Sequence, residues 1–165
     1  MIGETYKNRL FYYKMMKDFI ENKISAWELR KQYLSQRNID LDKDQKNGYT
    51  YEAYQKNILN LKSKEKLFKE EYVDLLYEKG SEALKKYEQG SNELDIKGEL
   101  FFKGIWNFID CYVIDYYPSD DEGFDPMFNV DEQTLAQRIR VAFDVLERNK
   151  ERWEYGESEN VRNKI

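Results

Sequence analysis

The chain has 165 residues, of which 41% are hydrophobic, 16% aromatic and 36% charged, and its formal net charge is −5. Fourteen Tyr, nine Phe and three Trp exclude a disordered chain and supply the core of one domain, while two Pro and eight Gly are too few for the turns of an all-β domain. The acidic balance disfavours wholesale binding to a nucleic-acid backbone. Histidine is absent, which removes His-based triads and His-based zinc or iron sites, and Cys111 is the only cysteine, so neither an intramolecular disulfide nor a thiolate-rich metal site can form.

The first helix is expected from Thr5 to Asn22, where Phe11, Met15 and Phe19 recur at i, i+4 and i+8 beside Tyr12, Met16 and Ile20. Ser25 followed by Glu28 is a capping-box signature and opens a second helix to about Asn38, with Ala26, Leu29 and Tyr33 on one side and Trp27 and Leu34 at its edges. Residues Asp40 to Gly48 carry no apolar period and read as a loop. Thr50 can cap a short helix to about Leu61, and a longer one is expected from Ser63 to Gln89, stopped by Gly90-Ser91-Asn92.

The clearest helical pattern follows. Phe101, Ile105, Phe108, Ile109, Tyr112, Val113 and Tyr116 share one face, and the helix is expected to end just before Pro118. Cys111 to Tyr117 also suits a strand by its β-branched and aromatic content, but continuity with the preceding period favours helix. Ser119 to Asp131 reads as an acidic loop. Asp131 can cap a last helix to about Asn149, striped by Leu135, Ile139, Ala142 and Leu146. The tail from about Lys150 is polar apart from Trp153, Tyr155 and Val161 and is expected to fray. Trp106 and Trp27 are both expected in the core.

Charge is distributed unevenly. Residues 1–63 carry twelve Lys/Arg against eight Asp/Glu, and residues 64–165 fifteen against twenty-four. No Lys or Arg occurs between Gly104 and Gln137, a stretch that holds Asp110, Asp115, Asp120, Asp121, Glu122, Asp125, Asp131 and Glu132. Paired carboxylates can act as general acid and base or bind a divalent cation. This run lacks the alternating ligands, central Gly and terminal Glu of an EF-hand, and Cys111 has no histidine to activate it. A solvated loop is the plain reading. The reading preferred is an acidic face that steers a basic partner, with Tyr112, Tyr116 and Tyr117 as interface anchors. No phosphate-cradling glycine motif occurs, and the Lys-rich stretches are interrupted by Glu. No cofactor, metal or catalytic group is called for. With no signal peptide or membrane span in view, the cytoplasm is the expected location.

Two segments resemble a known family. Met16 to Arg37, with Phe19, Ile20, Asn22, Lys23, Ile24, Ser25 and Ala26, resembles the opening of the bacterial self-protective colicin-like immunity family, whose best-known member protects against colicin D. Leu100 to Leu146 is similar to the family's C-terminal half through Asp115, Tyr117, Pro118, Asp120, Asp131, Glu132 and Leu135. The resemblance covers about seventy residues, and the compact members are much shorter. It implies an all-α antiparallel four-helix bundle, here with one or two helices inserted at about 39–94 and a tail at 151–165. It also implies an immunity protein that neutralises a cognate toxin nuclease domain, typically one that cuts tRNA. Such a protein makes no direct contact with nucleic acid or membrane. The implied partner-binding residues are Asp110, Asp115, Tyr116, Tyr117, Asp120, Asp121, Glu122, Asp125, Asp131 and Glu132. A non-catalytic helical interaction or regulatory module is the alternative.

Overall fold

A computed structural model describes residues 3–49, 82, 84–85, 87–89 and 98–154. The fold is all-α. The helices bounded within the described residues are α1 (Glu4–Lys7), α2 (Arg9–Ile20), α3 (Ala26–Lys46), α4 (Gly98–Asp115), α5 (Glu132–Arg148) and α6 (Lys150–Trp153). The helix expected from Thr50 to Leu61, most of the one expected to end at Gln89, the turn at Gly90 and the last eleven residues lie outside the described residues.

The helix ends follow from local chemistry. Ser25 accepts the Glu28 backbone N–H at 3.1 Å while Glu28 accepts the Ser25 N–H at 3.4 Å, so the capping box forms and fixes the start of α3. Asp131 accepts the Thr134 N–H at 2.8 Å and starts α5. Asn22 ends α2 in the left-handed region, φ 61°, with Lys23 N–H donating to Asp18 O and Asn22 N–H to Phe19 O, a Schellman closure. Gly48, at φ 74°, ends α3 the same way: Tyr49 N–H reaches Asp44 O at 2.7 Å and Gly48 N–H reaches Gln45 O at 3.2 Å.

One core joins the four longer helices. Tyr12, Met15 and Met16 of α2, Leu29 and Tyr33 of α3, Phe101, Ile105, Phe108, Ile109 and Val113 of α4, and Leu135, Ile139, Ala142 and Leu146 of α5 are all buried. Helix α2 packs on α3 and α5, and α4 packs on α3 and α5. The stripes expected for α4 and α5 are therefore the ones that fill the core. Leu84 and Tyr87 are both helical and buried, and Tyr87 docks on α4 because Gly104 has no side chain; a Cβ there would lie 2.1 Å from the Tyr87 hydroxyl.

Four expectations are corrected. The expected first helix is two helices, broken at Asn8, whose side-chain amide turns to donate to Asp40 at 2.7 Å. Phe11 is exposed, while Tyr12, Met15 and Met16 of the expected stripe are buried. Asp40 to Lys46 is helix, because Asp40 and Asp44 continue the inward face begun by Leu29 and Tyr33, one turn apart. The chain beyond Arg148 does not fray at once. Trp153 is fully buried, its indole N–H donating to Leu146 O at 2.7 Å, while the Tyr6 hydroxyl donates to Trp153 O at 2.7 Å and Arg9 donates to Glu154 O.

A polar seam lies between α3 and its neighbours. Asp40, with no exposed surface, accepts from Asn8 Nδ2 (2.7 Å), Tyr12 Oη (2.6 Å) and Gln36 Nε2 (2.8 Å). Asp44 accepts the Glu4 N–H at 2.8 Å, and Glu99 accepts the Gly3 N–H at 2.8 Å and the Tyr49 hydroxyl at 3.0 Å. Two carboxylates thus hold the start of α1, where free N–H groups favour negative charge. Lys103 sits with its ammonium 4.0 Å over the Trp106 ring and donates to Thr5 Oγ1 at 3.4 Å; burial pulls its pKa down against the opposing pull of Asp44, Asp110 and Glu99.

Two stability predictions follow from this seam. Replacing Asp40 by Ala leaves three donors without their acceptor and is expected to lower stability by about 3 kcal/mol, read as a shift in the urea midpoint; a shift under 1 kcal/mol (about the worth of one ordinary hydrogen bond) would show that the seam does not hold the helices. Burial raises the Asp44 pKa above its ordinary 3.8, so the native state holds that proton more tightly than the unfolded chain, and the Asp44 contribution to stability falls as pH rises from 3.8 through the raised value. Asp44→Asn keeps an acceptor for the Glu4 N–H and removes the titration. Its melting temperature relative to the parent is expected to be higher at pH 7 than at pH 4, and a difference independent of pH contradicts the assignment.

Candidate functional site

The segment between α4 and α5 closes on itself. Val130 N–H donates to Asp115 O at 2.9 Å and Tyr117 N–H donates to Val130 O at 3.1 Å, forming an isolated bridge between Tyr116 and Val130. Cys111 to Asp115 belong to α4, so the strand alternative fails for them. Within the closed loop, polar side chains satisfy the backbone. Asp121 accepts the Gly123 N–H at 2.8 Å, Asp125 accepts the Met127 N–H at 2.9 Å, and Asn129 accepts the Asp125 N–H at 2.9 Å. Asn129 N–H returns to Asp125 O at 2.7 Å.

These bonds sort the residues expected at the site into two groups. Asp110 stands apart from the loop, on α4, where its carboxylate pairs with Arg37 Nε at 2.7 Å and accepts the Tyr33 hydroxyl at 2.6 Å. Tyr116 is only 3% exposed and donates to Glu132, which together with burial pushes its hydroxyl pKa up to about 12. Glu132 also accepts from the Ser119 hydroxyl (2.7 Å) and N–H (3.0 Å); the Ser119 side-chain bond holds its carboxyl below the usual range. Asp131 is engaged as the α5 cap, and Asp115 is half-buried at the loop's base. These four acids and one tyrosine build the loop or the core. Asp120, Asp121, Glu122 and Asp125 are exposed, and none forms an ion pair with a described residue. All four face solvent, although Asp121 and Asp125 each commit one oxygen to the loop, Asp121 to the Gly123 N–H and the Tyr117 hydroxyl and Asp125 to the Met127 N–H.

Three residues at this face escape a reading by charge. Met127 and Phe128, 81% and 70% exposed, follow Asp125 and Pro126 in the loop. Trp27, expected in the core, is 37% exposed and meets the Tyr117 ring edge-on at 6.3 Å. The signal for the pair was present in the sequence: two large apolar residues after Pro126, with no helical or strand period to place them in a core. The face has a basic border beside Trp27, where Arg30 lies 5.5 Å and Lys31 6.0 Å from its ring centre, and Arg30 Nη2 donates to Ile114 O near the C-terminal end of α4.

Among the described residues no cluster of His, Cys, Asp or Glu is arranged to hold a metal ion, and no described helix is long and apolar enough to cross a membrane. Cys111 is half-buried, donates to Phe108 O, and has its thiol pKa pushed up to about 11, first by burial and then by Asp115 and Asp110. No family model matches the chain, and neither does any curated protein or solved structure.

The raised Cys111 pKa has a direct readout. At pH 8 alkylation by iodoacetamide is expected to be about a hundredfold or more slower in the folded chain than in urea, because little thiolate is present and access is restricted. Comparable rates in the two states would show a reactive thiol and reopen nucleophilic chemistry at this helix.

Proposed function

We propose that the protein is a non-catalytic immunity protein that captures a cognate toxin nuclease domain, one that cleaves tRNA, through the acidic loop between α4 and α5. The observation that carries this reading is the exposure of Asp120, Asp121, Glu122 and Asp125 on a loop held by its own hydrogen bonds, inside a stretch with no Lys or Arg. A tRNA-cleaving domain needs a cationic cleft for phosphates. Carboxylates presented on a fixed loop can occupy the positions of those phosphates, with fast capture from the one-signed field and little ordering cost on binding. The resemblance of Met16–Arg37 and Leu100–Leu146 to the colicin-like immunity family supports the same role, and under it α2, α3, α4 and α5 form the antiparallel four-helix bundle of that family, with the cytoplasm as the site of action. Asp110 and Tyr116 are assigned to the scaffold in this reading, leaving Tyr117 and the four exposed acids as the contact residues.

Co-expression tests this reading. The C-terminal domain encoded by the reading frame next to this one is expected to arrest growth alone, to be tolerated with this protein, and to co-purify with it. The variant Asp120→Lys, Glu122→Lys, which leaves the Asp121 and Asp125 bonds that hold the loop in place, is expected to keep its helical circular dichroism, to bind at least about tenfold more weakly at low salt, and to lose most of the salt dependence of association. A harmless neighbour, or a toxic one that is not rescued, contradicts the immunity role; rescue by this charge-reversal variant at unchanged affinity moves the contact surface elsewhere.

A further inference from the structure

Burying a Phe or Met side chain is worth about 1.5–3 kcal/mol, yet Met127 and Phe128 forgo nearly all of that gain, being the two most exposed large hydrophobic residues among those described. Their position is fixed. Asp125 takes the Met127 N–H on its side chain and the Phe128 and Asn129 N–H groups on its carbonyl, at 3.0 Å and 2.7 Å, so a single residue holds the tip outward. The same residue is one of the four exposed acids, and the others lie within the preceding five positions. The apolar pair and the carboxylates therefore reach a partner together.

We infer that Met127 and Phe128 are the apolar anchor of the acidic face, and that the surface they fit on the toxin domain is an apolar recess rimmed by Lys and Arg. The inference rests on the acidic-loop reading given above and adds what that reading lacks, a source of residence time. Carboxylates in place of phosphates raise the association rate, whereas desolvated aromatic and thioether contacts slow dissociation. The charge selects the partner class. Nucleic acid is repelled, and so is an anionic lipid surface, which would otherwise be a natural home for an exposed Met-Phe pair. A cationic protein surface satisfies both parts of the tip.

The test uses the full chain with its methionine methyl groups ¹³C-labelled, titrated with an amphipathic leucine–lysine peptide and with an oligolysine of equal charge. Of the four methionines Met15 and Met16 are buried, and the resonance lost in a Met127→Ser variant identifies the Met127 methyl that reports the tip. The leucine–lysine peptide is expected to bind about tenfold or more tightly than oligolysine, as burial of one such side chain implies, and to shift the Met127 methyl resonance. The variant Met127→Ser, Phe128→Ser should bind both peptides alike with unchanged salt dependence. Equal binding of the two peptides to the parent, with the Met127 methyl unmoved, overturns the anchor and leaves the electrostatic reading intact. Tighter binding of the leucine–lysine peptide that persists in the double variant also overturns it, by placing the apolar contact elsewhere. Failure of both peptides to bind at low salt removes the acidic face as a receptor and the anchor with it.

Discussion

The Asp40 carboxylate is the constraint on which the arrangement of the helices turns. It lies in the core without exposed surface and meets three donors: Asn8 at the break before α2, Tyr12 of α2 and Gln36 of its own helix. A group so buried is tolerated only when its acceptor positions are filled. Sliding α2 along α3 by a turn would strip it of two of those partners, a penalty that apolar packing alone does not impose. The Tyr12 and Tyr33 hydroxyls are held neutral by burial and by the carboxylates they face, which keeps them as donors. The seam thus specifies register where the surrounding Leu, Ile and Phe side chains supply mainly cohesion.

From that seam α3 carries the geometry to the loop. Seven residues before Asp44, Arg37 ties α3 to Asp110 of α4; a further two turns back, Arg30 reaches the Ile114 carbonyl; and Trp27 rests on Tyr117 at the start of the acidic segment. Helix α5 closes the other end, with Asp131 as its cap and Glu132 folded back on Ser119 and Tyr116. The loop is therefore clamped by both helices it joins and by α3 alongside. Only a fixed loop can present carboxylates and an apolar tip as one surface, because a flexible one would lose on ordering what it gains on contact.

Much of this was legible in the sequence wherever apolar periodicity or cap chemistry carried the information. The stripes of α4 and α5, the Ser25–Glu28 box and the Asp131 cap all form. Legibility failed where polar residues do the work of apolar ones. Asp40 and Asp44 lie at helical spacing from Leu29 and Tyr33, but a hydrophobic pattern cannot see a buried carboxylate, and so the second half of α3 read as loop. It failed again for aromatics, which pack by shape and partner more than by hydropathy: Trp27 turned outward to Tyr117 and Trp153 inward to Leu146. In the acidic stretch the sequence gives the charges but not their division. Hydrogen bonding assigns Asp110, Asp131 and Glu132 to structure and leaves Asp120, Asp121, Glu122 and Asp125 exposed beside Met127 and Phe128.

Under the proposed immunity role, the segment between α4 and α5 is the surface that meets the toxin domain. Hydrogen–deuterium exchange of the full chain, alone and with the domain encoded by the neighbouring frame, measures this directly. The account predicts new protection across Tyr117 to Asn129 and around Trp27, with the exchange of α5 little changed. Protection confined to the exposed apolar residues of α2 and α3, such as Leu10, Phe11 and Ile39, with the acidic loop exchanging as in the free chain, would contradict it.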